Sequence, residues 1–184
     1  MNASKRLFFI ALLPPQEIQA SITEIKQHFA EHYASRHALK SPPHITLQPP
    51  FEWLPEELPR LEEWLANFTT PRSPFSITLS GFAAFPPRVI YVNVIKTPEL
   101  LAIHQALMAG LEANLGIIDP ASKTRPFSPH MTVAFRDLTR KNFQAAWPKF
   151  EQRSLDFEFT ASQLTLLIHD NSRWNIKAEF LLGN

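Results

Sequence analysis

The chain has 184 residues, 45% of them hydrophobic, with 18 Lys and Arg against 17 Asp and Glu and no cysteine. A net charge of +1 excludes a protein that coats long nucleic acid by charge alone, and leaves an RNA terminus or a small cyclic nucleotide as compatible partners. The lack of cysteine excludes disulfides, a thiol nucleophile and Cys-ligated zinc, and it fits a reducing, cytoplasmic setting.

Arg6 to Leu13 is a continuous apolar stretch stopped by Pro14-Pro15. It is too short to span a bilayer and no small-residue cleavage site follows it, so it reads as a strand buried on both faces, with no membrane partner. Residues Glu17 to Phe29 carry Ile18, Ile22, Ile25 and Phe29 at helical spacing, and a basic loop runs from His32 to Pro43. A short strand follows, His44-Ile45-Thr46-Leu47, which Pro49-Pro50 is expected to end. Leu58 to Phe68 is an amphipathic helix, Phe75 to Phe82 an alternating strand, and Arg88 to Ile95 a further strand after Pro86-Pro87. Leu100 to Leu115 is a helix stopped by Gly116. A loop with Lys123 and Arg125 leads to a strand at His130, followed by a helical stretch at Lys141 to Phe150 that contains Pro148. Leu155 to Phe159, Leu164 to Ile168 and Trp174 to Leu182 read as closing strands.

The order strand, helix, His-x-Thr strand, helix, strand therefore occurs twice. It predicts an α+β fold: a two-lobed, pseudo-symmetric duplication over residues 1–184, with repeat units of roughly 5–82 and 88–182. Each lobe is expected to be a mainly antiparallel sheet with helices on its outer face, and the lobes to enclose a central cleft. The fold is expected to act as a monomer.

The repeat carries one local pattern in both copies: Pro43-His44-Ile45-Thr46-Leu47 and Pro129-His130-Met131-Thr132-Val133. Alternation puts His44, Thr46 and Gln48 on one face of the first strand, and His130, Thr132 and Arg136 on one face of the second. Along each strand the imidazole and hydroxyl then stand roughly 6–7 Å apart, two strand rises. Two imidazoles in one cleft suit paired general acid and base chemistry near neutral pH. Two neighbouring hydroxyls suit the non-bridging oxygens of a phosphate. Phosphodiester transfer or hydrolysis is the reaction these groups fit, with Arg136 and Arg125 available for developing negative charge. Phe51, Tyr91 and Phe127 are candidate rings for stacking a base.

These residues resemble the two-histidine phosphoesterase superfamily, close to the RNA 2′,3′-cyclic phosphodiesterases also called 2′-5′ RNA ligases. The likeness runs through Arg6 to Leu12 and Pro14, His44 to Leu47, Phe75 to Gly81, Phe85-Pro86-Pro87-Arg88-Val89-Ile90-Tyr91, and Phe127-x-Pro129-His130-Met131-Thr132-Val133. The resemblance implies action on 2′,3′-cyclic phosphates or 2′-5′ linkages with no metal or cofactor. It implies His130 as the base that activates water, His44 as the acid, and Thr46 and Thr132 as phosphate donors. Two departures stand out: Phe135 occupies the place where the family often has Arg, with Arg136 one residue later, and Gln48-Pro49-Pro50-Phe51 replaces a common Phe-Leu-Gly. The second resembles a divergent bacterial branch.

Three other readings fit parts of the chain. His28-Phe29-Ala30-Glu31-His32 matches the His-x-x-Glu-His pattern of inverted zinc proteases, so a zinc hydrolase using His28 and His32 is one. A non-catalytic RNA-end binder and a 2′-5′ RNA ligase running the same chemistry backwards are the others. His37, His104 and His169 are assigned to structure or solvent.

Overall fold

The computed structural model describes residues 4–183; residues 1–3 and 184 of the expected 1–184 span lie outside the described residues. The elements are β1 (Arg6–Leu12), α1 (Gln16–Tyr33), β2 (Ile45–Trp53), α2 (Leu58–Thr69), β3 (Phe75–Phe85), β4 (Val89–Val94), α3 (Pro98–Leu115), β5 (His130–Ala134), α4 (Arg140–Phe150), β6 (Asp156–Ala161), β7 (Gln163–His169) and β8 (Trp174–Leu181). They form two four-stranded sheets, ordered β2-β1-β7-β8 and β5-β4-β3-β6, in which every pairing is antiparallel. No helix among the described residues is long and apolar enough to cross a membrane.

β1 is apolar along its length because both its faces are covered. Phe8, Ile10 and Leu12 enter the main core, while Phe9 and Ala11 pack on the other face with Leu167, Leu13 and Trp174. The main core is continuous through both sheets and all four helices, with Ile22 and Phe29 of α1, Leu61 and Leu65 of α2, Leu107 and Leu111 of α3, and Phe143 and Phe150 of α4. α3 stops at Gly116 as expected, in the left-handed region at φ 66°, and starts two residues before the expected Leu100, at Pro98, where the Thr97 hydroxyl accepts from the Leu100 N–H.

Three expectations are corrected. The sheets are not the two sequence repeats. β3, the last strand of the first unit, pairs with β4 and β6, whereas β7 and β8 cross back to the free edge of β1. Short connections decide this: Pro86 to Arg88 keeps β3 beside β4, while Ser162 alone separates β6 from β7 as the chain changes sheet. Second, β2 runs through Pro49-Pro50 to Trp53. It is an edge strand, so the missing proline N–H groups cost no ladder bonds, and the prolines coincide with a register shift against β1. A second shift next to Ile10 breaks the alternation, so Gln48 leaves the His44 face and is buried at 1% exposure. Third, α1 continues to Tyr33, and the basic loop after it contains a 3₁₀ turn, His37–Lys40.

Candidate active site

The paired strands bring their polar faces to one cleft of about 490 Å³. His44, Thr46, His130 and Thr132 all line it, the first two from the start of β2 in the first sheet, His44 immediately before it, and the others from β5 of the second. The surrounding devices repeat with the strands. The His44 Nδ1–H donates to the Pro42 carbonyl at 2.7 Å, and the His130 Nδ1–H donates to the Ser128 carbonyl at 2.7 Å. A carbonyl can only accept, so each neutral ring carries its proton on Nδ1 and leaves Nε2 as the other, reactive nitrogen. Each ring also rests on an aromatic side chain of its neighbouring central strand: Phe9 of β1 against His44 at 4.8 Å, Tyr91 of β4 against His130 at 5.2 Å.

This packing dries the imidazoles and disfavours their charged forms. Burial is the main cause that pushes His44 down to about 4; the nearby positive charges of Lys26 and His130 act in the same direction, and the Pro42 carbonyl opposes them. His130 is also lowered by burial, opposed by the Ser128 carbonyl.

The two sides of the cleft are tied by one carboxylate. Asp137 follows β5 and accepts from the Ser35 hydroxyl at 2.9 Å and from the Arg36 and His37 N–H groups at 2.8 and 2.9 Å. It thereby caps the 3₁₀ turn His37–Lys40 from across the chain, and His37 packs edge-on against Phe135 at 5.0 Å. Asp137→Ala is expected to lower unfolding free energy by about 0.5–2 kcal/mol, the range of a lost helix cap, as read from denaturant midpoints.

Of the other residues singled out in the sequence, Arg136 lines the cleft, but not by strand alternation. β5 ends at Ala134, and Arg136 adopts the left-handed conformation at φ 57°, so that both Phe135 and Arg136 reach the cleft wall. Tyr91 is present as the ring beneath His130 and is 7% exposed. The remaining three are placed elsewhere. Phe51 is buried in the main core against Phe8: it has the parity of Ile45 and Leu47, and the two register shifts of β2 cancel before it. Phe127 is stacked face to face on His104 of α3 at 3.7 Å. Arg125 is exposed and does not line the cleft, and Lys123 is paired with Glu112 at 2.6 Å. His28 and His32 stack on each other at 4.2 Å on α1, and no group of three His, Cys, Asp or Glu able to hold a metal ion occurs among the described residues.

Sequence reasoning missed Phe9, His37, His169 and Trp174, which also line the cleft. Trp174 packs on Phe9 at 4.6 Å and on His169 at 4.8 Å. The hairpin that presents His169 and Trp174 is folded by Asp170, whose carboxylate accepts from the Ser172 and Arg173 N–H groups, the Ser172 hydroxyl and the Asn175 amide. Those bonds hold its carboxyl well below the usual carboxylate range. The run Asp170-Asn171-Ser172 beside a histidine was the available sequence signal: it marks a tight turn that fixes whatever flanks it.

Two antiparallel sheets that face a paired His-x-Thr across a cleft define the class, a two-lobed two-histidine fold. The sequence profile of the 2′-5′ RNA ligase superfamily matches residues 14–173, and the chain belongs to that superfamily. It is 28% identical over 177 residues to a Geobacillus kaustophilus protein named "putative phosphoesterase", covering 95% of each chain. It is also 28% identical over 179 residues to a Bacillus pumilus protein of the same name, covering 95% of this chain and 96% of that one. Among solved structures it resembles TT0787 of Thermus thermophilus (TM-score 0.66, 22% identity, 97% and 98% of the chains covered). It likewise resembles E. coli LigT in complex with 3′-AMP (TM-score 0.67, 20% identity, 98% and 99% covered).

Proposed function

We propose that this protein is a phosphoesterase that opens 2′,3′-cyclic phosphates, or cleaves 2′-5′ linkages, at RNA ends or on small nucleotides. The observation that carries the reading is the duplicated device: two imidazoles in one cleft, each with its Nδ1 proton fixed on a carbonyl and a threonine two residues on. Superfamily membership and the names of the relatives support phosphoesterase chemistry, and the same fold holds 3′-AMP in E. coli LigT.

In the proposed hydrolysis the water oxygen attacks phosphorus and its proton passes to His130 Nε2. The bond from phosphorus to O3′ breaks, and His44 Nε2–H gives its proton to O3′. The product is a 2′-phosphomonoester with a free 3′-hydroxyl, and the two rings then exchange their protons with solvent. Thr46 and Thr132 donate to the non-bridging oxygens, Arg136 opposes the negative charge, and no metal ion is required. Tyr91 acts beneath His130 rather than as a base platform, because its ring is covered. The ligase reaction is the reverse path, with a 5′-hydroxyl in place of water.

The order of the two roles gains support from the electrostatics. The ring with the lower pKa is the stronger acid once protonated, and the other is the stronger base. The free cleft leaves His44 largely neutral at pH 7, and an anionic phosphate favours its charged form.

The test is the pH–rate profile on a 2′,3′-cyclic nucleotide. One ring must be protonated and the other not, and both are lowered from the ordinary value of 6.5. The kcat/KM profile is therefore expected to be a bell with its maximum below 6.5, falling as pH rises through the His130 value and as it drops below about 4. The kcat maximum is expected at higher pH, because the bound phosphate raises both groups. A profile flat from pH 4 to 8 contradicts the paired-imidazole reading.

A further inference from the structure

A second cavity of about 550 Å³ adjoins the catalytic cleft, and Lys40, Ser41 and Trp174 line both. The second cavity is walled by Thr23 and Lys26 of α1 and by Arg173 and Asn175 of the β7–β8 hairpin. No acidic side chain lines it, whereas three cationic ones do: Lys26, Lys40 and Arg173. The salt bridges among the described residues are Arg60–Glu57 and Lys123–Glu112, so neither Lys40 nor Arg173 is paired. Asp170, the carboxylate of the same hairpin, is occupied by the donors of its own turn.

Lys26 is the unusual member. It is 2% exposed, and its Nζ donates to the Ala38 and Ser41 carbonyls at 3.0 Å each. An ammonium has three N–H groups, so one remains beyond those two. Burial pushes its pKa down to about 7. An anion in the cavity would supply both the third acceptor and the missing countercharge.

We propose that this cavity binds the phosphodiester and nucleotide immediately 5′ of the one whose phosphate reacts in the cleft. The protein then selects RNA ends of two or more nucleotides over a cyclic mononucleotide. This rests on the phosphoesterase reading above. The shared wall fits it: one strand can pass from the two histidines over Lys40 and Ser41 to Arg173, meeting the Lys40 ammonium and the Arg173 guanidinium on the way.

Calorimetry tests it on unreactive ligands, a dinucleotide ending in a 2′-phosphate and the matching nucleoside 2′-monophosphate, alongside turnover of both cyclic forms. The dinucleotide is expected to bind about 10-fold more tightly to the native protein. Its affinity is expected to fall more steeply with salt, by about 0.7 in log–log slope for one added phosphate. Arg173→Glu and Thr23→Glu, which place a carboxylate in the second cavity, are expected to remove that preference while the monophosphate binds within twofold of native. Equal affinities in the native protein, no binding of either ligand, or a preference that survives both variants overturns the proposal. A preference lost in both variants, without turnover of either cyclic form, leaves the subsite standing and overturns the phosphoesterase reading instead.

Discussion

His130→Ala and His44→Ala are each expected to lower kcat/KM on a 2′,3′-cyclic substrate by ~10²–10⁴-fold, the usual contribution of a positioned acid or base. The double variant is expected to be only slightly worse than either single one, because the two rings act as a unit and losing one already stalls the proton path. Folding should survive. Each ring makes one hydrogen bond to its own chain two residues upstream, and both rings stand on the cleft side of sheets whose opposite faces form the core. Cooperative unfolding and an unchanged far-ultraviolet spectrum check this. Near-native turnover in either variant removes the paired acid–base mechanism.

The second large effect is expected at the hydroxyls. Thr46→Val and Thr132→Val keep the side chain's shape and lose its donor. Both residues are half-buried on the cleft face, beside Ala11 and Tyr91 respectively in the sheet register. A donor aimed at charge that develops in the transition state is worth ~10²–10³ in kcat. That loss is expected for each variant in kcat, with KM changed little. A rise in KM alone would assign the threonines to ground-state binding rather than to the transition state.

The functional strands were legible because alternation with period two needs no knowledge of partners. Ile45 and Leu47 against His44 and Thr46 could be read from five residues. What could not be read was everything set by pairing between distant segments. Trp174 sits in a strand that looks like any closing strand, and it reaches Phe9 only because β7, far along the chain, takes the free edge of β1. His169 arrives with it. Gln48 was misplaced for a different reason: an alternation extrapolated past Leu47 fails at the register shift before Gln48, and one shifted residue exchanges the faces. Phe51 was offered as a ring without regard to its face, although it has the parity of the core residues Ile45 and Leu47. Arg136 shows the opposite outcome. It lines the cleft as the alternation implied, yet through a left-handed turn after the strand has ended. The repeat units were visible as a pattern of elements, but the exchange of β3, β7 and β8 between sheets leaves no trace in periodicity.

The central claim is that two imidazoles break a phosphodiester at an RNA end without a metal ion. A short RNA ending in a 2′,3′-cyclic phosphate, incubated with the protein in EDTA, tests it most directly when the product ester is identified. Conversion to the 2′-phosphate with a free 3′-hydroxyl is the predicted result. No turnover in EDTA, with activity restored by added zinc, contradicts the account and directs attention to His28 and His32.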